Sequence, residues 1–175
     1  MIIKIVAVGE VPEKLLSDLP PRLIESFALL VDDCRIGEPI EMPPTAYDAL
    51  REQHNADILL EHVRRSMLGN DKVLALTNVD LFHDSTNFVF GEAQYPGNVA
   101  LVSTCRLDPA FYSHPPNYEL LLERTAKEAV HELGHAFGSE HCENISCVMS
   151  FSNSIHEVDK KSVLFCEKCR KKLYR

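Results

Sequence analysis

The stretch HELGHAFGSEHCENISCVM, residues 131–149, decides how this 175-residue chain is interpreted, because it holds three of the eight histidines and two of the six cysteines. His131 and His135 are four residues apart late in a run with helical apolar spacing, so both imidazoles share one helix face and can converge on a single ion. Gly138 stands where a residue in the left-handed conformation would end the helix, and the chain can then turn back to present His141. Three protein ligands leave a fourth position open, which is typical of a catalytic zinc rather than a structural one.

Glu132 directly follows the first of these histidines. From that position its carboxylate can reach a water at the metal rather than the metal itself. A zinc ion lowers the pKa of such a water to about 7, and a nearby carboxylate can then take its proton. We therefore predict Glu132 to be the catalytic residue of this centre.

The cysteines that follow form two pairs, C-x4-C and C-x2-C, separated by eighteen residues. This spacing predicts a four-thiolate structural zinc site, so that two zinc ions are expected with a hinge between His141 and Cys142. A redox CxxC or buried free thiols are the alternatives, but a redox pair would leave the first two cysteines unexplained. Cys34 and Cys105 have no partner spacing and are expected to be semi-buried thiols. The four expected ligands lie in the segment 142–169 and are Cys142, Cys147, Cys166 and Cys169.

The overall composition is that of an ordinary globular protein, with 45% hydrophobic and 25% charged residues. The net charge of −8 argues against sequence-independent binding to nucleic acid, which needs clustered cations. The apolar start, MIIKIVAV, is too short for a signal peptide or a membrane span. We therefore expect a cytoplasmic protein, in which clustered cysteines favour metal over disulfide.

The apolar patterns alternate between the two regular periods and predict an α/β (α+β) fold, a mixed sheet flanked by helices, in a single domain over residues 1–175. A long helix, YELLLERTAKEAVHELGHAFG, carries the first metal ligands. A second helical pattern is expected from residue 46 to about 67, capped by Thr45 and interrupted near HNAD, residues 54–57. Two strands joined by the turn YPGN precede the long helix. Further strands are predicted at residues 2–8, 27–34 and 72–82, with short helical pieces in PEKLLSDLPPRLIESF.

The combined string HExxHxxGxxH, C-x4-C-x-M and a late CxxC resembles the archaemetzincins, zinc metallopeptidases of the metzincin clan. REQHNADILL, VLALTNVDLF and NFVFGEA are also similar to that family. The resemblance implies a compact metzincin-like domain with a twisted mixed sheet, an active-site helix and a zinc-pinned C-terminal segment. It also implies that Met149 lies in a tight turn beneath the metal. The roles it implies are general base for Glu132, catalytic zinc ligands for His131, His135 and His141, and structural zinc ligands for Cys142, Cys147, Cys166 and Cys169.

The sequence is compatible with two functions. One is a peptidase acting on peptides or proteins, and the other is a zinc-scaffolded peptide- or protein-binding module with little catalysis. Some metzincins place a tyrosine shortly after the methionine, but Phe151 stands in that vicinity, so His156 or a backbone N–H would have to stabilise the oxyanion. The segment 97–104 is either an edge strand that pairs with the substrate or a core strand. A zinc-ribbon nucleic-acid binder is disfavoured by the acidity, and no membrane partner is expected.

Overall fold

The computed structural model describes residues 1–67 and 69–174. Over those residues the chain forms a five-stranded sheet and a smaller three-stranded sheet. The elements in chain order are β1 (Ile2–Ala7), α1 (Glu13–Asp18), α2 (Pro20–Ser26), β2 (Asp33–Ile36), β3 (Tyr47–Asp48), β4 (Gln53–Asn55), α3 (Ala56–Ser66), β5 (Lys72–Thr77), β6 (Leu81–Phe82), β7 (Gly91–Ala93), β8 (Val99–Ser103), α4 (Tyr118–Ala136), α5 (Ile155–Lys160) and α6 (Glu167–Leu173).

The larger sheet is mixed, with the strand order β2-β1-β5-β8-β7. Its first four strands run parallel, and β7 pairs antiparallel with β8. The central strands read as continuous apolar runs because helices cover both faces of a mostly parallel sheet. One face packs against α1, α2 and α4, and the other packs against α3. The predicted fold class, a mixed sheet flanked by helices, is confirmed.

The smaller sheet contains β3, β4 and β6, and its first two strands lie in the segment that we predicted as helical from residue 46 to about 67 with an interruption near residues 54–57. That prediction is wrong for its first ten residues, since α3 begins only at Ala56. Asn55 caps α3 by accepting the backbone N–H of Ile58, so Thr45 has no capping role there. Asp48 instead accepts the N–H groups of Leu50 and Arg51, which forms a turn that competes with the helix.

The strand predicted over residues 27–34 is also misplaced, because β2 begins at Asp33. Phe27 is fully buried at the end of α2, and Leu29 takes a left-handed backbone conformation with φ of 82° and 90% exposure. An extended strand does not continue through a residue in this conformation. The strand predicted over residues 72–82 is likewise divided between β5 and β6, which lie in different sheets.

The long helix α4 was predicted correctly and supports the functional residues. Asn117 caps it by accepting the N–H of Leu120, and almost every residue from Leu122 to Ala136 is buried. Gly138 follows with φ of +90°, as expected of the residue that ends the helix. Within residues 1–67 and 69–174, none of the helices has both the length and the apolar character that a bilayer crossing requires.

Candidate metal centres and active-site cleft

Three imidazoles meet where α4 ends and the chain turns back. Nε2 of His135 lies 3.1 Å from Nε2 of His131 and 3.2 Å from Nε2 of His141. Two nitrogens that each lie about 2.0–2.1 Å from one tetrahedral zinc are separated by roughly 3.3 Å. The side chains that the sequence singled out are thus brought together at the separation that a shared metal ion requires.

The tautomers of two of these histidines are fixed by backbone carbonyls. Nδ1 of His131 donates to the carbonyl of Val148 at 2.8 Å, and Nδ1 of His135 donates to that of Ser139 at 2.7 Å. A carbonyl only accepts, so the proton sits on Nδ1 and the lone pair on Nε2 is free for a metal. Burial lowers the pKa of His131 well below its ordinary value and also lowers that of His135. Neutral imidazole is the form that binds zinc, so the donor set fits this metal.

Glu132 is buried beside the histidines, and the sheet leaves room for it at Gly91. A Cβ on Gly91 would lie 2.8 Å from Glu132 Cγ and 2.5 Å from the carbonyl oxygen of Leu101, so a larger residue would displace the carboxylate or the strand. Burial raises the pKa of Glu132 well above its ordinary value, and the charge of Glu128 adds to this while that of Lys161 opposes it. The protonation state of the Glu132 carboxyl group is therefore set by its burial and by the neighbouring charges.

A buried ion pair lies one helical turn before Glu132. Nζ of Lys161 is 2.7 Å from Oε1 of Glu128, and the two side chains are 0% and 4% exposed. The contact is short but poorly directed, because Glu128 Oε1 receives no hydrogen bond of good geometry from a described residue. Lys161 also lies 3.4 Å from the carbonyl oxygen of Ser150, which connects the segment after Met149 to α4.

Met149 packs against α4 at Gly134, the residue before His135. It is fully buried, and a Cβ on Gly134 would come within 2.5 Å of its sulfur. Its carbonyl accepts the N–H of Cys142 at 2.9 Å, which closes a loop from residue 142 to 149. The preceding carbonyl, that of Val148, is the one that orients His131. The methionine turn thus positions a histidine through its backbone as well as filling space.

The four cysteines of the segment 142–169 also cluster. Their four sulfur atoms lie within 4.8 Å of one another. The sulfurs of Cys142 and Cys166 are 3.8 Å apart, as expected for two thiolates that each lie about 2.3 Å from one tetrahedral zinc. Burial opposes ionisation of Cys166, but the backbone N–H of Cys169 and the neighbouring thiols outweigh it and lower its pKa to about 7. Outside this cluster, Cys34 and Cys105 are half-buried thiols, as expected.

An open cavity of about 850 Å³ extends in front of the histidines. The strand on its wall is β7, which forms the edge of the larger sheet. Residues 97–104, our candidate for a substrate-pairing edge, contain β8, which is paired on both sides by β5 and β7. That edge assignment is therefore wrong, and the alternative of a core strand is correct. The sequence could not distinguish them because the position of a strand in the sheet depends on its pairing with distant segments.

Aromatic rings flank the cavity next to the histidines. Phe151 lies 5.1 Å from the ring of His141 and Tyr95 lies 6.0 Å from that of His135, measured between ring centroids. Both are more than half exposed. His156, which the sequence suggested as an oxyanion donor, is exposed on α5 and does not line the cavity.

A model of peptidase family M54 matches residues 31–175. The chain belongs to this family. An archaemetzincin of Methanocaldococcus jannaschii is 45% identical over 95% of this chain and 89% of that protein. An archaemetzincin of Pyrococcus furiosus is also 45% identical, over 97% of this chain and 90% of that protein. The crystal structure of archaemetzincin from Methanopyrus kandleri superimposes with a TM-score of 0.86 at 39% identity and covers 100% of this chain and 94% of that one.

Membership of family M54 makes the chain a zinc metallopeptidase, and the archaemetzincin resemblance drawn from residues 131–169 is confirmed. The M54 fold also places residues near the centre that sequence reasoning missed. Gly91 and the Lys161–Glu128 pair carry no local spacing pattern, since the Gly91–Glu132 contact and the ion pair join positions that are 41 and 33 residues apart in the sequence. Tyr95 was seen only as part of a turn.

Proposed function

We propose that the peptidase centre is formed by Glu132 with His131, His135 and His141, the histidines holding the catalytic zinc and Glu132 acting as general base. The convergence of the three Nε2 atoms beside a buried carboxylate, at the wall of an open cavity, carries this proposal. When bound, zinc polarises the scissile carbonyl and lowers the pKa of the attacking water to about 7.

The protein's own part in the reaction is to move a proton and to hold the peptide. Glu132 accepts the proton of the attacking water and then donates it to the leaving amine. Gly91 keeps the carboxylate in place because its missing side chain leaves room for Glu132 Cγ. The raised pKa of Glu132 favours the protonated form that donates to the leaving amine, and the charge of a bound zinc would favour the ionised form that first accepts the proton.

The substrate is an extended peptide that pairs with the free edge of β7. An edge strand offers unpaired N–H and C=O groups, and a peptide that adds to it gains main-chain hydrogen bonds. Because β7 forms a wall of the cavity that contains His131 and His135, a peptide paired there would pass in front of the three histidines.

A second zinc is proposed at the four cysteines, with a structural role. Four thiolates close the coordination of zinc and leave no position for substrate. Cys142 directly follows His141, so a metal at the cysteines would fix the backbone from which the third histidine projects. The zinc would then stabilise the segment 142–169 and preserve the geometry of the catalytic centre.

The test compares zinc-loaded wild type with Glu132→Gln on a diverse peptide mixture, with cleavage read by mass spectrometry and zinc content measured for both. Glu119→Gln is the matched control, since it makes the same chemical change at an exposed position on the same helix. Wild type and control should produce the same fragments, and Glu132→Gln should produce none while retaining its zinc. Fragments from Glu132→Gln would exclude it as the general base. Zinc-loaded wild type that binds peptides without cleaving them would instead support the binding module.

A further inference from the structure

A third group of metal-binding side chains contains none of the seven proposed zinc ligands, although His83 and Glu92 line the same cavity as the three histidines. Asp57 is in the first turn of α3, His83 directly follows β6, and Glu92 is the middle residue of β7. One donor atom from each lies within 4.8 Å of the other two, and Nε2 of His83 is 3.4 Å from Oδ2 of Asp57. The three residues come from separate elements, so their meeting is a product of the fold rather than of a local sequence pattern.

The buried Oε2 oxygen of the Glu92 carboxylate has neither a hydrogen-bond donor nor a cation beside it among the described residues. The neighbouring Asp57 carboxylate only accepts hydrogen bonds when ionised, so it cannot satisfy that oxygen. Within residues 1–67 and 69–174, no lysine or arginine forms an ion pair with either carboxylate, and the contact with His83 is the only ion pair that Asp57 makes. A buried carboxylate oxygen without a donor or a cation is costly.

The titration of Glu92 is consistent with this arrangement. Burial raises its pKa to about 8, and the neighbouring Asp57 carboxylate raises it in the same direction. A divalent cation between the two carboxylates would remove the repulsion and satisfy the buried oxygen.

We propose that Asp57, His83 and Glu92 form a binding site for one divalent transition-metal cation of the Mn²⁺ or Zn²⁺ class. Two carboxylates match the charge of such an ion, and an imidazole favours these metals over Ca²⁺ or Mg²⁺. The side chains of Asp57 and His83 are 50% and 38% exposed, so water can reach the ion and complete its coordination. The site is therefore exchangeable, in contrast to a closed four-thiolate zinc.

The position of this site gives it a mechanical role at the cleft. Successive side chains of a strand point to opposite faces, and the Cβ direction of Gly91 leads to Glu132. Glu92 therefore points to the other face of the sheet, towards α3. A cation held there would connect α3, the segment after β6 and the edge strand β7. It would restrain the strand that we propose to pair with substrate, without occupying the catalytic centre.

The experiment titrates Mn²⁺ into protein loaded with only two zinc ions per chain and follows free Mn²⁺ by electron paramagnetic resonance, with zinc content measured before and after. Mn²⁺ ranks below Zn²⁺ in affinity for nitrogen and sulfur ligands, so it should not displace zinc from the histidines or cysteines. The expected result is one Mn²⁺ bound per chain with no loss of zinc. Glu92→Gln and Asp57→Asn should each weaken binding at least about tenfold, a loss that even groups outside the coordination sphere can cause.

Asp84→Asn is the matched control, because Asp84 is an exposed neighbour of His83 whose carboxylate instead accepts a hydrogen bond from Asn55. It removes one local negative charge but no proposed ligand, so Mn²⁺ affinity should change by less than about threefold. Thermal unfolding of each variant without added Mn²⁺ shows whether a loss of binding reflects a loss of fold. Absence of Mn²⁺ binding up to millimolar concentration in the wild type would overturn the site. So would Glu92→Gln protein that is folded and binds Mn²⁺ as tightly as the wild type, because the ion would then be held without Glu92.

Discussion

The buried pair Lys161–Glu128 allows a quantitative test of how the charges under the active site stabilise the fold. Replacing Lys161 with methionine keeps most of the side-chain volume but removes the ammonium 2.7 Å from Glu128 Oε1. The carboxylate left behind is 4% exposed and lies one helical turn from Glu132, whose pKa its charge already raises. Breaking a buried pair in this way costs about 3–5 kcal/mol. That is a large fraction of the roughly 5–15 kcal/mol that stabilises a typical domain.

Replacing both partners should cost much less than replacing one. In Lys161→Met with Glu128→Leu no charge is left unpaired, and apolar replacements of buried pairs are often neutral or stabilising. The free energy of unfolding should therefore be within about 2 kcal/mol of wild type, giving a coupling energy of at least about 1 kcal/mol. Urea unfolding followed by circular dichroism measures these values, at one buffered free zinc concentration for all variants because ligands that bind only the folded state contribute to stability.

Lys171→Met is the control for the loss of a lysine as such. Its partner is Glu167, and both side chains of that pair are mostly exposed, so the urea midpoint should hardly change. The reasoning would be refuted by a Lys161→Met protein as stable as this control. It would equally be refuted if the double variant lost as much as the two single variants added together.

Three other predictions concern packing, metal and pH. Gly134→Ala should lower stability by about 1–3 kcal/mol although alanine favours helices, since its Cβ would meet the Met149 sulfur; thermal unfolding should show a smaller loss in a Met149→Ala background. Cys169→Ser should lose one zinc per chain and more than about 3 kcal/mol of stability, measured by metal analysis and urea unfolding, whereas Cys105→Ser should keep its zinc. Glu92 has a folded pKa of about 8, above its ordinary 4.5, so between these values the folded state retains a proton that the unfolded state loses. Without added Mn²⁺, the free energy of unfolding should therefore fall as the pH rises through that interval. Glu92→Gln should remove about 1–2 kcal/mol of that fall, less than the shift alone implies because the side chain is partly exposed; equal slopes in urea titrations from pH 5 to 9 would contradict this.

The parts of the molecule that were predictable from sequence are those whose determinants are local. The helix α4 follows from apolar spacing, and the clustering of His131, His135 and His141 follows from helical geometry and a glycine turn. The same reasoning failed for residues 46–55, where helical spacing competes with a turn at Asp48. The spacing of apolar residues gives no information about hydrogen bonds between side chains and the backbone, so it could not locate the start of α3.

Features that depend on pairing between distant segments were not predictable. Whether β7 or β8 forms the edge of the sheet is decided by which strand β5 accepts as its neighbour. The room that Gly91 gives to Glu132 is also a contact between distant segments, and a single glycine carries no signal of its partner. A sequence thus indicates the ligands of a metal centre more readily than the surroundings that tune it.

The strand order has a consequence for how the protein is made. β1 is synthesised before the other strands of the sheet but lies inside it, and its neighbour β5 pairs through residues about 70 positions later, as in Ile3 with Lys72. Parallel pairing at such separations is slow because the intervening chain must first be ordered. All seven proposed ligands of the two zinc ions lie in residues 131–169, so the ribosome releases them after every strand of the sheet. Metal capture during synthesis would therefore complete a sheet whose strands are already available, rather than nucleate it.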